Sequence, residues 1–135
     1  MLRYGIAFDI GTTTIVGSLI DLNTLKEIDT ASLQNPQARF GKDILSRISA
    51  VTEDASLLKT LQLDVVGACN SIIHSITNVT DRDYLELVVA AGNSVMEHIL
   101  LGISPVSLAR VPYRPVFKDA RLLPAKDTGL DVKPF

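Results

Sequence analysis

The sequence has very little cysteine and no excess of basic residues. Its single cysteine, Cys69, excludes an internal disulfide and cannot by itself hold a zinc ion or an iron–sulfur cluster. Thirteen basic residues stand against fifteen acidic ones, which gives a net charge of −2. Because no dense Lys/Arg cluster appears either, the composition argues against nucleic acid or an anionic membrane as the main partner.

Long hydrophobic runs and internal repeats are also missing. The longest apolar run, residues 87–91 continuing into Gly92, is far too short to span a bilayer. Residues 1–3 lead straight into a predicted strand and not into a secretory signal. We therefore expect a cytoplasmic protein. With 135 residues and 47% hydrophobic content, the chain is long enough for one domain with a real core.

Two apolar runs around a short polar insert, within residues 4–21, predict a strand, a tight turn and a second strand. Asp9 closes the first run, and Gly11 follows where a glycine lets the backbone turn sharply beside a ligand. The insert continues with Thr12, Thr13 and Thr14. Their amides can converge on phosphate oxygens while Asp9 holds a magnesium-bound water. An ordinary hairpin with a polar turn is the alternative.

The first apolar run reads as a central strand that is covered on both faces. Residues 27–34 predict a third antiparallel strand, and residues 35–43 a polar loop that leads into a helix. The helix has an apolar face that is expected to lie on the sheet, and Asp43 and Arg47 are spaced to pair along its side. The loop is either a ligand-contacting loop or a solvated connection.

A second helix over residues 55–76 should bury Cys69 and leave His74 partly exposed. A further buried strand, residues 84–91, is followed by Gly92, and this repeats the layout of the first motif. Asn93 or Ser94 can then cap the next helix, or contact an anion. His98, on that helix, is expected to be a packed or exposed residue, in preference to a catalytic one.

Several prolines follow Gly102, and a proline has no backbone N–H to donate. We therefore expect this part of the chain to be an extended arm against the surface. Exposed basic side chains on this arm suit a partner surface. They are Arg110, Arg114, Lys118 and Arg121. We divide the chain into residues 1–103, a half-domain with a phosphate loop, and residues 104–135, the arm and the start of a further segment. Residues 127–135 are compatible with the beginning of another strand.

Three motifs in this order resemble one protein family. They are residues 9–14 (DIGTTT), residues 35–41 (NPQARFG) with Asp43, Ser46, Arg47 and Ile48, and residues 92–98 (GNSVMEH) with Leu101, Gly102, Ile103, Pro105, Leu108, Pro112 and Pro115. The first alone is similar to the phosphate loop of the acetate and sugar kinase, heat-shock chaperone and actin superfamily. Together they resemble the ATP-dependent reductive activators of corrinoid-dependent methyltransferases, whose large domain belongs to that superfamily.

The resemblance implies an α/β fold, with a ribonuclease-H-like mixed sheet of five strands and helices packed on it. It implies ATP or ADP with Mg²⁺ as cofactor, and Asp9 as the metal-orienting residue. The nucleotide-binding residues would be Gly11, Thr12, Thr13, Thr14 and Gly92. Asp9, Asp43 and Asn93 are the catalytic candidates that it implies.

The resemblance also implies a larger parent protein. In that family, a small iron–sulfur domain, of the [2Fe-2S] ferredoxin type, passes an electron to a corrinoid protein, and ATP turnover drives this step. The partner would be a corrinoid protein or a corrinoid-dependent methyltransferase, and a homodimer is left open. This chain resembles only the first half of the superfamily domain, so we expect it to be inactive alone.

Two other functions remain open from the sequence. A small-molecule kinase of the sugar or acetate type would use the same phosphate loop, with Asp43 or Asp9 acting on a substrate hydroxyl. A non-catalytic docking module would instead use the arginine-bearing arm.

Overall fold

The computed structural model describes residues 1–133 and shows an α/β fold with one mixed sheet. The strands are β1 (Tyr4–Ile10), β2 (Thr14–Asp21), β3 (Lys26–Gln34) and β4 (Leu85–Gly92). Their order across the sheet is β3-β2-β1-β4. The first three strands form an antiparallel meander, as predicted, and β4 lies parallel to β1.

The sheet has four strands within residues 1–133, and not the five that were expected. Between the last helix and residue 133, the chain contains only short 3-10 turns, Val106–Ala109 and Ala125–Asp127. Prolines interrupt this region, and a proline cannot donate to a strand ladder. Of the predicted segment at residues 127–135, the part up to residue 133 forms no strand, and residues 134–135 lie outside the described residues.

In the described residues, four helices connect and follow the strands. They are α1 (Ile44–Glu53), α2 (Leu57–Ile76), α3 (Val79–Arg82) and α4 (Ser94–Leu100). A 3-10 turn, Pro36–Phe40, precedes α1. Because β1 and β4 are parallel and Ile10 pairs with Gly92, the loops after both strands meet at one edge of the sheet.

The main core lies between α2 and one face of the sheet. Ile6, Phe8 and Ile10 of β1 are buried there, together with Cys69 and Ile72 of α2. Full burial of each such aliphatic or aromatic side chain contributes about 1.5–3 kcal/mol. The predicted burial of Cys69 is confirmed, and desolvation raises the pKa of its thiol to about 12.

The other face of the sheet is open, so the expectation that β1 is covered on both faces is wrong for the described chain. Ala7 and Asp9 alternate with the buried residues of β1 and are exposed. Strand β4 is an edge strand in place of the buried strand expected, with Leu87 45% and Val89 50% exposed. The reason is that α2 covers only one face.

Helix α1 packs against other helices and not against the sheet, contrary to expectation. Its buried residues Ile48 and Val51 join Leu61 of α2 and Ile99 of α4 in a second core cluster. An apolar helix face can pack either on a sheet or on other helices. The spacing of its apolar residues therefore does not identify which of the two it contacts. Among residues 1–133, no helix is long and apolar enough to cross a membrane.

Candidate functional site

The turn between β1 and β2 is tight, and it requires a glycine at its first position. The Gly11 N–H donates to the Thr14 carbonyl oxygen at 3.0 Å. A Cβ atom added to Gly11 would lie 2.3 Å from that same oxygen, closer than nonbonded atoms approach. Any other residue would therefore force the turn open.

Asp9 lies just before this turn on the open face of the sheet. Its side chain is exposed. On that face its neighbours in register are Val16 of β2 and Ala91 of β4. Across residues 1–133, its carboxylate makes no hydrogen bond or ion pair. This carboxylate is thus available to a ligand.

The carbonyl groups of the turn are bound from the protein side. The Asn35 Nδ2 donates to the Gly11 carbonyl at 3.0 Å, and the Asn35 N–H donates to the Thr13 carbonyl at 2.7 Å. Between them, the Arg47 Nη2 donates to the Thr12 carbonyl at 2.7 Å. Three consecutive carbonyls therefore face the interior.

This arrangement directs the next amides of the turn away from the interior. In a trans peptide the C=O of one residue and the N–H of the next point in opposite directions. The Thr12 and Thr13 amides thus face away from Asn35 and Arg47, and within the described chain they donate to no acceptor. Unpartnered consecutive amides beside a free carboxylate suit an anion that carries a divalent cation.

The end of β4 adjoins the same turn, so the third motif, residues 92–98, is brought to the first. Gly92 approaches β1 so closely that an added Cβ would lie 2.7 Å from the Ile10 carbonyl oxygen. The Asn93 Nδ2 donates to the Thr12 hydroxyl oxygen at 3.1 Å, while its Oδ1 accepts from the Met96 N–H at 3.0 Å. Asn93 therefore caps α4 and holds the Thr12 side chain.

Asp43 has a local role in the structure. It is the N-cap of α1, and its Oδ1 accepts from the Ser46 N–H at 2.8 Å. Hydrogen bonds from Ser46 hold the pKa of this exposed carboxyl below its ordinary value. The expected pairing with Arg47 along the helix is not formed, because Arg47 turns inward. In the described part of the chain, Asp43 makes no hydrogen bond to the Gly11–Thr14 turn.

Three polar side chains beside the turn are completely buried, namely Asn35, Gln37 and Arg47. Besides Thr12, Arg47 donates to the Gly41 carbonyl at 2.9 Å and to the Gln37 Oε1 at 3.1 Å. Gln37 in turn donates to the Leu61 carbonyl at 2.8 Å. We refer to Asn35, Gln37 and Arg47 as the buried polar cluster. Since its members are shielded from solvent, they support the turn from behind.

Sequence reasoning missed the burial of this cluster, although one signal was available. Arg47 is three residues after Ile44 and four before Val51, so it occupies the apolar face of α1. A charged residue in that position is either an error of the helix assignment or a buried, fully bonded side chain. The polar composition of the 35–43 loop pointed instead to solvent.

Arg47 is a buried cation without a paired anion. Burial lowers the pKa of its guanidinium, and the Asp43 carboxylate acts in the opposite direction. An arginine remains charged in proteins under either influence. Among residues 1–133, no carboxylate lies within ion-pair distance of it. The positive charge therefore sits directly behind the turn.

The described residues contain no group of three or more His, Cys, Asp or Glu side chains that could hold a metal ion alone. Mg²⁺ commonly keeps several waters and binds through one or two carboxylates and the substrate's phosphates. Asp9 and the free amides fit a Mg²⁺–phosphate group of this kind. A single cysteine does not fit an iron–sulfur cluster in this chain.

A family model, a curated protein and a solved structure that match this chain agree with one another. The family model described as RACo middle region matches residues 4–135. The corrinoid activation enzyme RamQ of Eubacterium limosum is 35% identical over 133 residues, or 97% of this chain. A solved structure, "Reductive activator for corrinoid,iron-sulfur protein", matches 98% of this chain with a TM-score of 0.90 at 32% identity. The chain spans 22% of the length of each of these two proteins.

Proposed function

From the premise that this chain belongs to the RACo middle region family, we propose that it forms the phosphate-binding half of an ATPase domain. ATP turnover by the complete domain would drive the reductive reactivation of a corrinoid protein. The observation that carries the proposal is the turn after β1, where the Thr12 and Thr13 amides have no acceptor among residues 1–133 and lie beside the exposed Asp9 carboxylate. The relatives, described as activators of corrinoid proteins, supply the reaction class.

In the proposed site, Asp9 orients Mg²⁺ through water, and Gly11, Thr12, Thr13 and Thr14 hold the β- and γ-phosphates of ATP or ADP. Gly92 allows β4 to approach this loop. Bound Mg²⁺ supplies neutralisation of the phosphate charge. The chain's own residues contribute positioning and hydrogen bonds, which are the main protein contributions to phosphoryl transfer.

Asn93 and Asp43 are our candidates for orienting the attacking water. Asn93 is supported by its contact with the Thr12 hydroxyl. Asp43 is supported only by its exposed, ionised carboxylate at the start of α1. Residues 1–103 would form the half-domain and residues 104–135 an arm.

The complete domain would have the ribonuclease-H-like arrangement of the kinase, chaperone and actin superfamily. Strand β4 is at the edge of the sheet, next to β1 only, so a fifth strand has a place to pair. We propose that this strand and the other half of the nucleotide cleft come from sequence outside this chain. The isolated chain would then be inactive.

The parent protein would act in the cytoplasm on a corrinoid protein or corrinoid-dependent methyltransferase. Its electron would come from a [2Fe-2S] domain outside this chain, because Cys69 alone cannot supply the ligands. A docking module without ATP turnover is the second candidate. The observation that favours it is the set of exposed arginines on the arm, including Arg110 and Arg114.

Calorimetry with Mg-ATP tests the proposal on this chain and on a protein extended past Phe135. Binding in the longer protein alone supports a split site, and binding in neither supports the docking module. In the longer protein, Asp9→Asn should lower Mg²⁺-dependent ATP affinity or hydrolysis by about 10–100-fold, as for other residues that orient metal ligands. Glu27→Gln removes an exposed carboxylate of β3 and serves as the matched control. Unchanged hydrolysis in Asp9→Asn would refute the metal assignment.

A further inference from the structure

We propose that Arg47 is a positioning residue that orients the Gly11–Thr14 turn and polarises its peptides toward a bound phosphate. The inference rests on the proposed function, because the ligand it concerns is the phosphate group of ATP. It goes beyond that function by assigning the affinity of the turn partly to a buried side chain that does not touch the ligand.

The geometry places Arg47 where three segments meet. Its guanidinium donates to Thr12 in the turn, to Gly41 in the loop before α1 and to Gln37 in the 3-10 turn. Its Nη1 also lies 3.5 Å from the Met96 sulfur of α4. The planar fork of an arginine can satisfy such acceptors together, whereas a lysine presents one point of charge.

The hydrogen bond to Thr12 continues through the peptide to the ligand side of the turn. The Thr12 carbonyl and the Thr13 N–H belong to one peptide group and point in opposite directions. A cation that donates to the carbonyl, here at 2.7 Å, strengthens the N–H as a donor, since hydrogen bonds in a chain polarise one another. A phosphate oxygen at the Thr13 amide would therefore be bound more tightly.

Core packing alone does not explain why the charged Arg47 side chain is buried. Burying a cation without an anion costs desolvation energy, and well-packed apolar residues often stabilise a core as well or better. In the described chain, the Asp43 carboxylate acts against the lowering of the Arg47 pKa, but it accepts from the Ser46 N–H and forms no ion pair with the guanidinium. An anion at the turn would supply the missing negative charge.

The test uses the protein extended past Phe135, with Mg-ATP and adenosine as the two probes. Arg47→Gln should weaken Mg-ATP binding by about tenfold or more, the range for a lost hydrogen bond to a charged group, while adenosine binding stays unchanged. Arg47→Lys should restore part of the Mg-ATP affinity. Arg39→Gln is the matched control, because Arg39 lies on the same loop but is exposed and pairs with Asp64. It removes the same charge and should leave both affinities unchanged.

A second variant covers the case in which Arg47→Gln does not fold. Gln37→Glu places a carboxylate where the Gln37 Oε1 now accepts from Arg47, so it neutralises the buried charge and keeps the arginine, while it gives up the Gln37 donation to the Leu61 carbonyl. It should also lower Mg-ATP affinity more than adenosine affinity. Equal losses of both affinities, or full Mg-ATP affinity in folded variants, would overturn the inference. If the unsubstituted extended protein binds adenosine but not Mg-ATP, both the proposed function and this inference fail.

Discussion

The Asp43 carboxylate lies at the N-terminus of α1, where helix amides lack acceptors and the helix dipole favours a negative charge. Its hydrogen bonds from Ser46 favour the ionised form, which is why its pKa is lowered. A group whose pKa is lowered by folding stabilises the folded state above its ordinary pKa. That contribution is lost as the pH falls through the folded-state pKa.

Substitution of Asp43 should therefore separate capping from charge. Asparagine caps as well as aspartate but does not titrate, so Asp43→Asn should keep stability near that of the unsubstituted protein at pH 7. Asp43→Ala should lower the urea midpoint at that pH. Below about pH 4, the ordinary range for an aspartate, the unsubstituted protein should lose stability relative to Asp43→Asn. Urea unfolding from pH 7 to pH 3 measures this, and a constant difference between the two proteins would contradict the contribution of the ionised carboxylate.

At the scale of strands and helices, two glycines provide a matched pair. Gly92 ends β4, and a Cβ there would lie 2.7 Å from a backbone oxygen of β1. Gly67 lies within α2 on an exposed surface, with nothing within 4 Å of an added Cβ. An added methyl group would thus contact backbone atoms at Gly92, whereas at Gly67 it would lie in open space.

Gly92→Ala should lower the free energy of unfolding by about 1–3 kcal/mol, the usual cost of overpacking. Gly67→Ala should raise it by about 0.5–1 kcal/mol, because alanine is the better helix former. Urea unfolding of both variants, followed by circular dichroism, gives the two values. A Gly92→Ala protein as stable as Gly67→Ala would contradict the close approach of β4 to β1.

The spacing of apolar residues identified the elements well but not their neighbours. The helix ending at Ile76 and the strands ending at Gln34 and Gly92 all lie within two residues of their predicted bounds. The partner of α1 and the burial of Arg47 depend on which surfaces meet in three dimensions, and a one-dimensional period does not contain that information. The family assignment from three motifs is confirmed, because motif order adds constraints that periodicity lacks.

For the candidate site, the sequence identified the polar segments but not which of them are neighbours, and for some it indicated the wrong environment. The adjacency of the Gly11–Thr14 turn and Asn93 results from the parallel pairing of β1 with β4, which the two similar strand patterns do not specify by themselves. The polar composition of the 35–43 loop predicts a solvated or ligand-contacting segment, yet Asn35 and Gln37 are buried. Polar side chains can form hydrogen bonds with the protein when buried or with water when exposed. The composition of a loop therefore does not distinguish the two environments.

At the scale of the whole molecule, the proline-rich arm is held to α4 through a buried histidine. The His98 Nε2 accepts from the Val116 N–H at 3.0 Å, so Nδ1 carries the proton and donates to the Ser94 carbonyl at 2.6 Å. Phe117 stacks on the His98 ring with centroids 4.5 Å apart, and Arg121 lies over Phe117 at 5.0 Å. His98 is buried, which is one of the two environments, packed or exposed, expected for it from the sequence.

Phe117→Leu should lower the free energy of unfolding by about 1 kcal/mol, since aromatic pairs contribute about 0.5–1.5 kcal/mol beyond the area they bury. It should also speed tryptic cleavage after Lys118 and Arg121, because an arm that is held less firmly to α4 enters the active site of trypsin more readily. Val79→Ala is the control, as Val79 lies outside the arm, is 70% exposed and should change neither quantity. Unaltered cleavage in Phe117→Leu would show that the stack does not hold the arm.

The parallel pairing of β1 with β4 has a consequence for how the protein is made. Strands β1 and β2 are joined by a short turn, but β4 comes from far along the chain and is needed to bring Asn93 to Thr12. On the ribosome, the threonine turn emerges early with only its meander beside it. The turn cannot reach its final form until β4 has been synthesised, so an interrupted nascent chain ends without this site.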